Sequence, residues 1–153
     1  MEPRVYEYRS RTTWADGHKG ALSSEGMREI EVACPPEFGG HVGYWTPEHL
    51  FVSSVEVCTM TTFLAIFQKS EGNLVSYDSS AVGRASIRDW VFQFTDIEIT
   101  PRIVVKTEED VDKAEEAMKR AASECLITRS LKFSPKVLPG IELAGRPNGK
   151  GDK

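Results

Sequence analysis

Long apolar runs are scarce in this chain. The longest of them, Phe63–Phe67, falls far short of the roughly 20 residues that a bilayer-spanning helix needs. No membrane partner is expected on that ground, and Met1–Ser10 mixes both charge signs with no apolar stretch of a leader peptide. Cysteine is scarce too. Only Cys34, Cys58 and Cys125 occur, an odd number with no CxxC pair, which excludes a secreted disulfide framework and a zinc ribbon. The compartment that fits is the reducing cytoplasm. An excess of either charge sign is also missing: 19 Lys+Arg against 23 Asp+Glu leave a net charge of −4, without the basic stripe of a nucleic-acid binder. The histidines are His18, His41 and His49. Their spacing, with Cys34, matches no ligand pattern, so no metal is expected. A cysteine acyl transferase or hydrolase would need a histidine base, and none follows residue 49. GxSxG, P-loop and GxGxxG motifs are absent as well.

What is present is the composition of a globular domain, with 40% apolar and 27% charged residues. A single domain over residues 1–144 is expected, followed by a frayed tail, 145–153, whose sequence offers no apolar side chain to bury. Val5–Thr13 alternates as a strand, Asp16-Gly17 signals a turn, and Lys19–Ser23 reads as the returning strand. Glu29–Ala33 alternates again before a Pro- and Gly-rich loop that runs to Trp45. Thr46-Pro47-Glu48 then opens a helix, with hydroxyl cap, proline in the first turn and an acid near the positive end. This helix should reach Lys69. Glu56 is its one charged residue between the two ends, so burial on most sides is expected. Val75–Ile87 and Trp90–Lys106 read as strands turning at Arg88-Asp89, with Pro101 marking an edge or bulge. Thr107 and Asp110 form a capping box for a second helix that reaches Cys125. A short helix over Thr128–Leu131 and a strand over Ser134–Leu143 complete an α+β domain.

Taken singly, each cysteine fits the part of a small inert core residue. Spacing alone does not show that Cys58 and Cys125 meet. The segment Pro35-Pro-Glu-Phe-Gly-Gly40, followed by Thr46-Pro-Glu-His-Leu-Phe-Val-Ser-Ser-Val-Glu-Val-Cys58, nevertheless resembles the OsmC/Ohr family of osmotically inducible and organic hydroperoxide resistance proteins. In that family a Pro-Glu pair opens the central helix and a cysteine follows ten residues after the Glu. Ala121-Ala-Ser-Glu-Cys-Leu-Ile-Thr-Arg-Ser130 is similar to the second family hallmark, a cysteine closing a later Ala-rich helix. The resemblance spans about residues 10–143.

It implies an OsmC-like intertwined homodimer, with antiparallel sheets around a long buried central helix. It also implies a thiol-dependent peroxidase acting in oxidative stress defence on organic hydroperoxides, with hydrogen peroxide a further candidate. Cys58 would attack the peroxide and become a sulfenic acid, and Cys125 would condense with it to a disulfide. A dithiol or lipoyl-type reductant would then restore both thiols, with no cofactor. Cys34 has no assigned part. The family pairs the helix-opening glutamate, here Glu48, with an arginine from the N-terminal half. Arg11 and Arg28 are the candidates for this cation partner, with Lys19 and His49 the other cations of the region. Glu48 lies ten residues before Cys58, about 15 Å along one helix, so it cannot touch that cysteine in its own chain. A catalytic Glu48 would have to serve the partner's Cys58; otherwise it is a helix-start acid. The alternative function is a non-enzymatic dimer of the same fold that binds a hydrophobic small molecule.

Overall fold

Thr46 starts the central helix as the sequence predicts: its hydroxyl oxygen accepts the His49 backbone N–H at 3.2 Å, and α1 runs Pro47–Lys69. The computed structural model describes residues 1–146; residues 147–153, most of the expected tail, lie outside them. The chain divides into two compact units, Met1–Phe51 and Val52–Lys153.

The first unit is an antiparallel meander of β1 (Arg11–Asp16), β2 (Lys19–Ser23) and β3 (Ile30–Ala33), in that order. Asp16 pairs with Lys19, and Gly17 turns the chain with φ at 51°, a value glycine adopts without penalty. β1 begins at Arg11 rather than at Val5. Arg11 already pairs with the last residue of β2, Ser23, and beyond it the chain turns at Gly26 (φ 74°). The alternation before Arg11 therefore meets no neighbouring strand, and Tyr6 and Tyr8 stay exposed.

The second unit is built on a long hairpin, β4 (Leu74–Arg88) and β5 (Val91–Val105), paired from Leu74 with Val105 to Arg88 with Val91. Its turn residues are Asp89 and Trp90, both at positive φ, one position later than expected. α2 (Glu108–Glu124) follows with the full capping box between Thr107 and Asp110. The short α3 is Leu126–Arg129, two residues earlier than the sequence suggests. The expected last strand is two pieces, β6 (Lys136–Val137) and β7 (Gly140–Leu143), both parallel to β5. The second sheet is therefore mixed, not purely antiparallel. Pro101 causes no bulge: the register of β4 on β5 shifts only near Leu74 and Arg84. β6 pairs with Glu98 and Ile99, and β7 begins at Arg102, so Pro101 falls opposite the break between them, where its missing N–H is not needed.

Burial of α1 corrects the expectation most clearly. Only Val55, Thr59, Phe63 and Phe67 are buried, one stripe at four-residue spacing. Phe63 and Phe67 pack with Ile103 and Val105 of β5 and with Ala114, Ala117, Met118 and Ala121 of α2. The rest of the helix is partly or fully exposed, Val57 to 52%. By length and composition α1 could cross a bilayer, with a mean hydropathy of 1.8 over 18 residues. Here it is instead the helix on which a sheet and a second helix pack.

Candidate active site

α1 and the end of α2 carry the two cysteines. Cys58 is partly exposed on α1, whereas Cys125 is fully buried where α2 stops. Cys125 leaves the helical region (φ −56°, ψ 130°) while its N–H still bonds the Ala121 carbonyl. The chain then restarts as α3, which turns the N–H groups of Ile127 and Thr128 back toward the sulfurs. The two side chains meet: the Cys58 thiol donates to the Cys125 sulfur. The Ile127 N–H reaches both sulfurs, Thr62 donates to Cys58, and Thr128 donates to Cys125 through its N–H and its hydroxyl.

These contacts set where the proton sits. Burial pushes the Cys58 thiol up, and its hydrogen bond to Cys125 pushes it further. Burial would raise Cys125 too, but the hydrogen bonds from Cys58, Thr128 and Ile127 hold it below the ordinary thiol value. Within one chain the Cys58 thiol therefore gives up its proton less readily than the Cys125 thiol. None of the main influences on Cys58 is a cation, and a reactive thiolate ordinarily needs one or an equivalent donor.

The other expected site residues are placed as follows. Glu48 stands in the first turn of α1. Its Oε2 is shielded from solvent and has no hydrogen-bond partner among the described residues, a costly state for a carboxylate oxygen. Lys19 is engaged, its Nζ 3.3 Å from Asp16 and 5.8 Å from the centre of the Tyr44 ring. His49 is also engaged, with Nδ1 2.7 Å from the Thr46 hydroxyl. Arg11 is exposed on β1. Arg28 lines a hollow of about 440 Å³ in the first unit, together with Tyr8, Leu22, Met27 and Ile30. Neither arginine makes an ion pair among the described residues. The Cys34 thiol points at the Phe38 carbonyl, 3.5 Å away.

Three further residues bear on the site and its surroundings. Thr62 and Thr128 act directly on the thiols. Their signals were one helical turn after Cys58 and the hydroxyl residue that follows Cys125-Leu-Ile. Glu56, the charge midway along α1, accepts a 2.6 Å hydrogen bond from Ser79 of β4, which satisfies it against the sheet. The neighbouring Tyr77 hydroxyl is pushed up to about 12, chiefly by burial.

The model of the OsmC-like protein family matches residues 39–138, which takes in α1, the hairpin, α2 and both cysteines. The chain belongs to the OsmC-like family. No curated protein matches it. Among solved structures, an OsmC-like protein of unknown function from Vibrio cholerae is similar over 90% of this chain and 99% of its own, with a TM-score of 0.78 at 20% identity. An organic hydroperoxide resistance protein from Elizabethkingia anophelis, with thiocyanate bound, covers 92% of this chain and 98% of its own (TM-score 0.69, 20% identity). An organic hydroperoxide resistance protein, OsmC, from Legionella pneumophila covers the same shares at a TM-score of 0.68 and 17% identity. At these identities the likeness is one of fold. OsmC-like membership agrees with the resemblance read from the two cysteine segments.

Proposed function

We propose that this OsmC-like protein is a thiol-dependent peroxidase that reduces organic hydroperoxides through the Cys58/Cys125 pair. The observation that carries this reading is the contact between the two sulfurs, one partly open to solvent and one buried. Exposure assigns the attack to Cys58. Its thiolate takes the terminal oxygen of the hydroperoxide, the O–O bond breaks, and the alkoxide leaves as the alcohol after protonation. The resulting sulfenic acid stands beside Cys125, whose sulfur displaces hydroxide, released as water, to form the disulfide. A dithiol, such as a lipoyl group, then returns two electrons by thiol–disulfide exchange. The reaction uses thiols alone and suits a reducing compartment such as the cytoplasm.

A homodimer completes this reading. α1 leaves apolar side chains such as Val57 exposed within one chain, and a second copy packed against it would cover them. A partner would also supply what Cys58 lacks, a nearby cation. Arg11 and Arg28 are the unpaired candidates, and the unsatisfied Glu48 carboxylate is the group that would orient such a guanidinium. The test is dithiol-dependent consumption of cumene hydroperoxide compared with hydrogen peroxide. Turnover of the organic peroxide that vanishes in Cys58→Ser supports the proposal, and unchanged turnover in that variant refutes it.

The second reading, a non-enzymatic binder of a hydrophobic molecule, draws on the hollow beside Tyr8, Leu22, Met27 and Ile30. Thiol titration after one equivalent of cumene hydroperoxide separates the two. Loss of two thiols per chain favours the peroxidase, and no loss favours the binder.

A further inference from the structure

A second concavity lies where α2 gives way to α3. It is an open groove of about 480 Å³, formed by the end of α2, α3 and the segment that leads to β6, within the size range of small-molecule sites. Ala122, Leu131 and Phe133 give it an apolar lining, Arg129 and Lys132 give it two positive charges, and no acidic side chain lines it. Neither cation makes an ion pair among the described residues. Their neighbour Arg120, by contrast, is closed off by Glu124 at 3.0 and 3.1 Å. Arg129 bonds the Ser123 carbonyl through its Nε at 3.4 Å and feels the Glu124 charge that Arg120 closes off, and no hydrogen bond holds the outer edge of its guanidinium among the described residues. Thr128 lines the same groove and is also the residue that bonds the Cys125 sulfur.

We infer that this groove binds a carboxylate carried on a short aliphatic chain, with Arg129 and Lys132 taking the carboxylate and Leu131 and Phe133 the chain. A planar guanidinium matches a carboxylate edge to edge, and an ammonium adds a point charge. Chain burial against the two hydrophobic residues adds affinity that a bare anion would not have. The binding does not depend on peroxidase chemistry, but its assignment to a redox partner rests on that reading. Two sources carry this chemistry: a dithiol with a carboxylate end, and a hydroperoxide of a fatty acid.

The test uses the full chain, with octanoate and octanamide as calorimetric probes. Octanoate is expected to bind wild type at least tenfold more tightly than octanamide, and at least tenfold more tightly than it binds the Arg129→Gln/Lys132→Gln variant. Both substituted residues are exposed, and a thermal melt checks that the variant is folded. No octanoate binding at millimolar concentration, equal binding of the amide, or binding unchanged in the variant would overturn the site. Two kinetic arms then distinguish the sources. A KM advantage of dihydrolipoate over dihydrolipoamide that the variant loses marks the reductant. The same advantage of linoleic acid hydroperoxide over its methyl ester marks the substrate. No carboxylate preference in either arm defeats the redox assignment. A protein that binds octanoate here yet reduces no hydroperoxide keeps the groove and defeats the peroxidase reading.

Discussion

Cys58 of α1 donates its thiol hydrogen to the sulfur of Cys125, which closes α2. Ile127 and Thr62 donate toward the more exposed sulfur, and Ile127 and Thr128 toward the buried one. A disulfide between these residues would join two sulfurs that already act on each other.

Breaking that hydrogen bond should move both thiols in opposite directions. Cys125 raises Cys58, through its hydrogen bond and its charge, and Cys58 lowers Cys125. In Cys125→Ser the thiolate of Cys58 should therefore appear at lower pH than in wild type. In Cys58→Ala, Cys125 loses a donor and its thiolate should appear at higher pH. Thiolate absorbance at about 240 nm followed against pH reads both, provided Cys34 is replaced by serine throughout. Shifts of the same sign would contradict the arrangement.

The two serine variants should also differ in their end products. With Cys125→Ser, one equivalent of hydroperoxide should leave Cys58 as sulfenic acid, which more peroxide carries to sulfinic acid. With Cys34→Ser, oxidation should proceed as in wild type. Intact mass and dimedone labelling distinguish these states, and failure of the Cys34→Ser protein to form a disulfide would reassign the resolving thiol.

Gly83 lies where α1 packs closely on the hairpin. A side-chain carbon there would collide with Val52 Cγ2 and lie 3.0 Å from Phe94 Cε1, and a β-branched valine has little freedom to yield. Gly83→Ala should cost about 1–3 kcal/mol, as overpacking does, read from the urea midpoint. A neutral result would mean that the helix shifts without loss.

The capping box predicts an acid-dependent loss of stability. Thr107→Ala should destabilise by about 1 kcal/mol. The Thr107 hydroxyl is the chief reason that Asp110 sits below the ordinary carboxylate range, with Asn73 adding to it. A carboxyl lowered in the folded state adds stability that is present above its unfolded pKa and lost as pH falls through the folded one. The variant should therefore lose less on acidification than wild type. Melting temperatures between pH 7 and pH 3 test this, and parallel curves would contradict it.

Local grammar made most elements readable. Thr46-Pro47-Glu48 and Thr107 with Asp110 act at short range, so both long helices begin where those residues stand. The misreadings came where partners far along the chain decide. Val5–Ser10 alternates like a strand but finds no partner strand beyond Ser23, only the Ser24 hydroxyl on the Arg9 carbonyl. The strand expected over Ser134–Leu143 divides at Pro139, which has no N–H to give, just after Leu138 bonds the Ile99 carbonyl of β5. In the site, the family resemblance named both cysteines, and only the fold shows that they touch. Thr128 is legible only as the hydroxyl that follows Cys125-Leu-Ile, and the contacts of Thr62 and Thr128 with the thiols come from the fold. The sequence of α1, apolar on most faces, predicts burial on most sides. One chain covers a single stripe of it.

The account depends most on Cys58 and Cys125 forming a disulfide when a hydroperoxide is reduced. The direct measurement is peptide mass spectrometry of the full chain, alkylated in acid after one equivalent of cumene hydroperoxide. The account predicts a Cys58–Cys125 cross-link within one chain, with Cys34 recovered as free thiol. Recovery of Cys58 and Cys125 both alkylated, with the peroxide unconsumed, would contradict it.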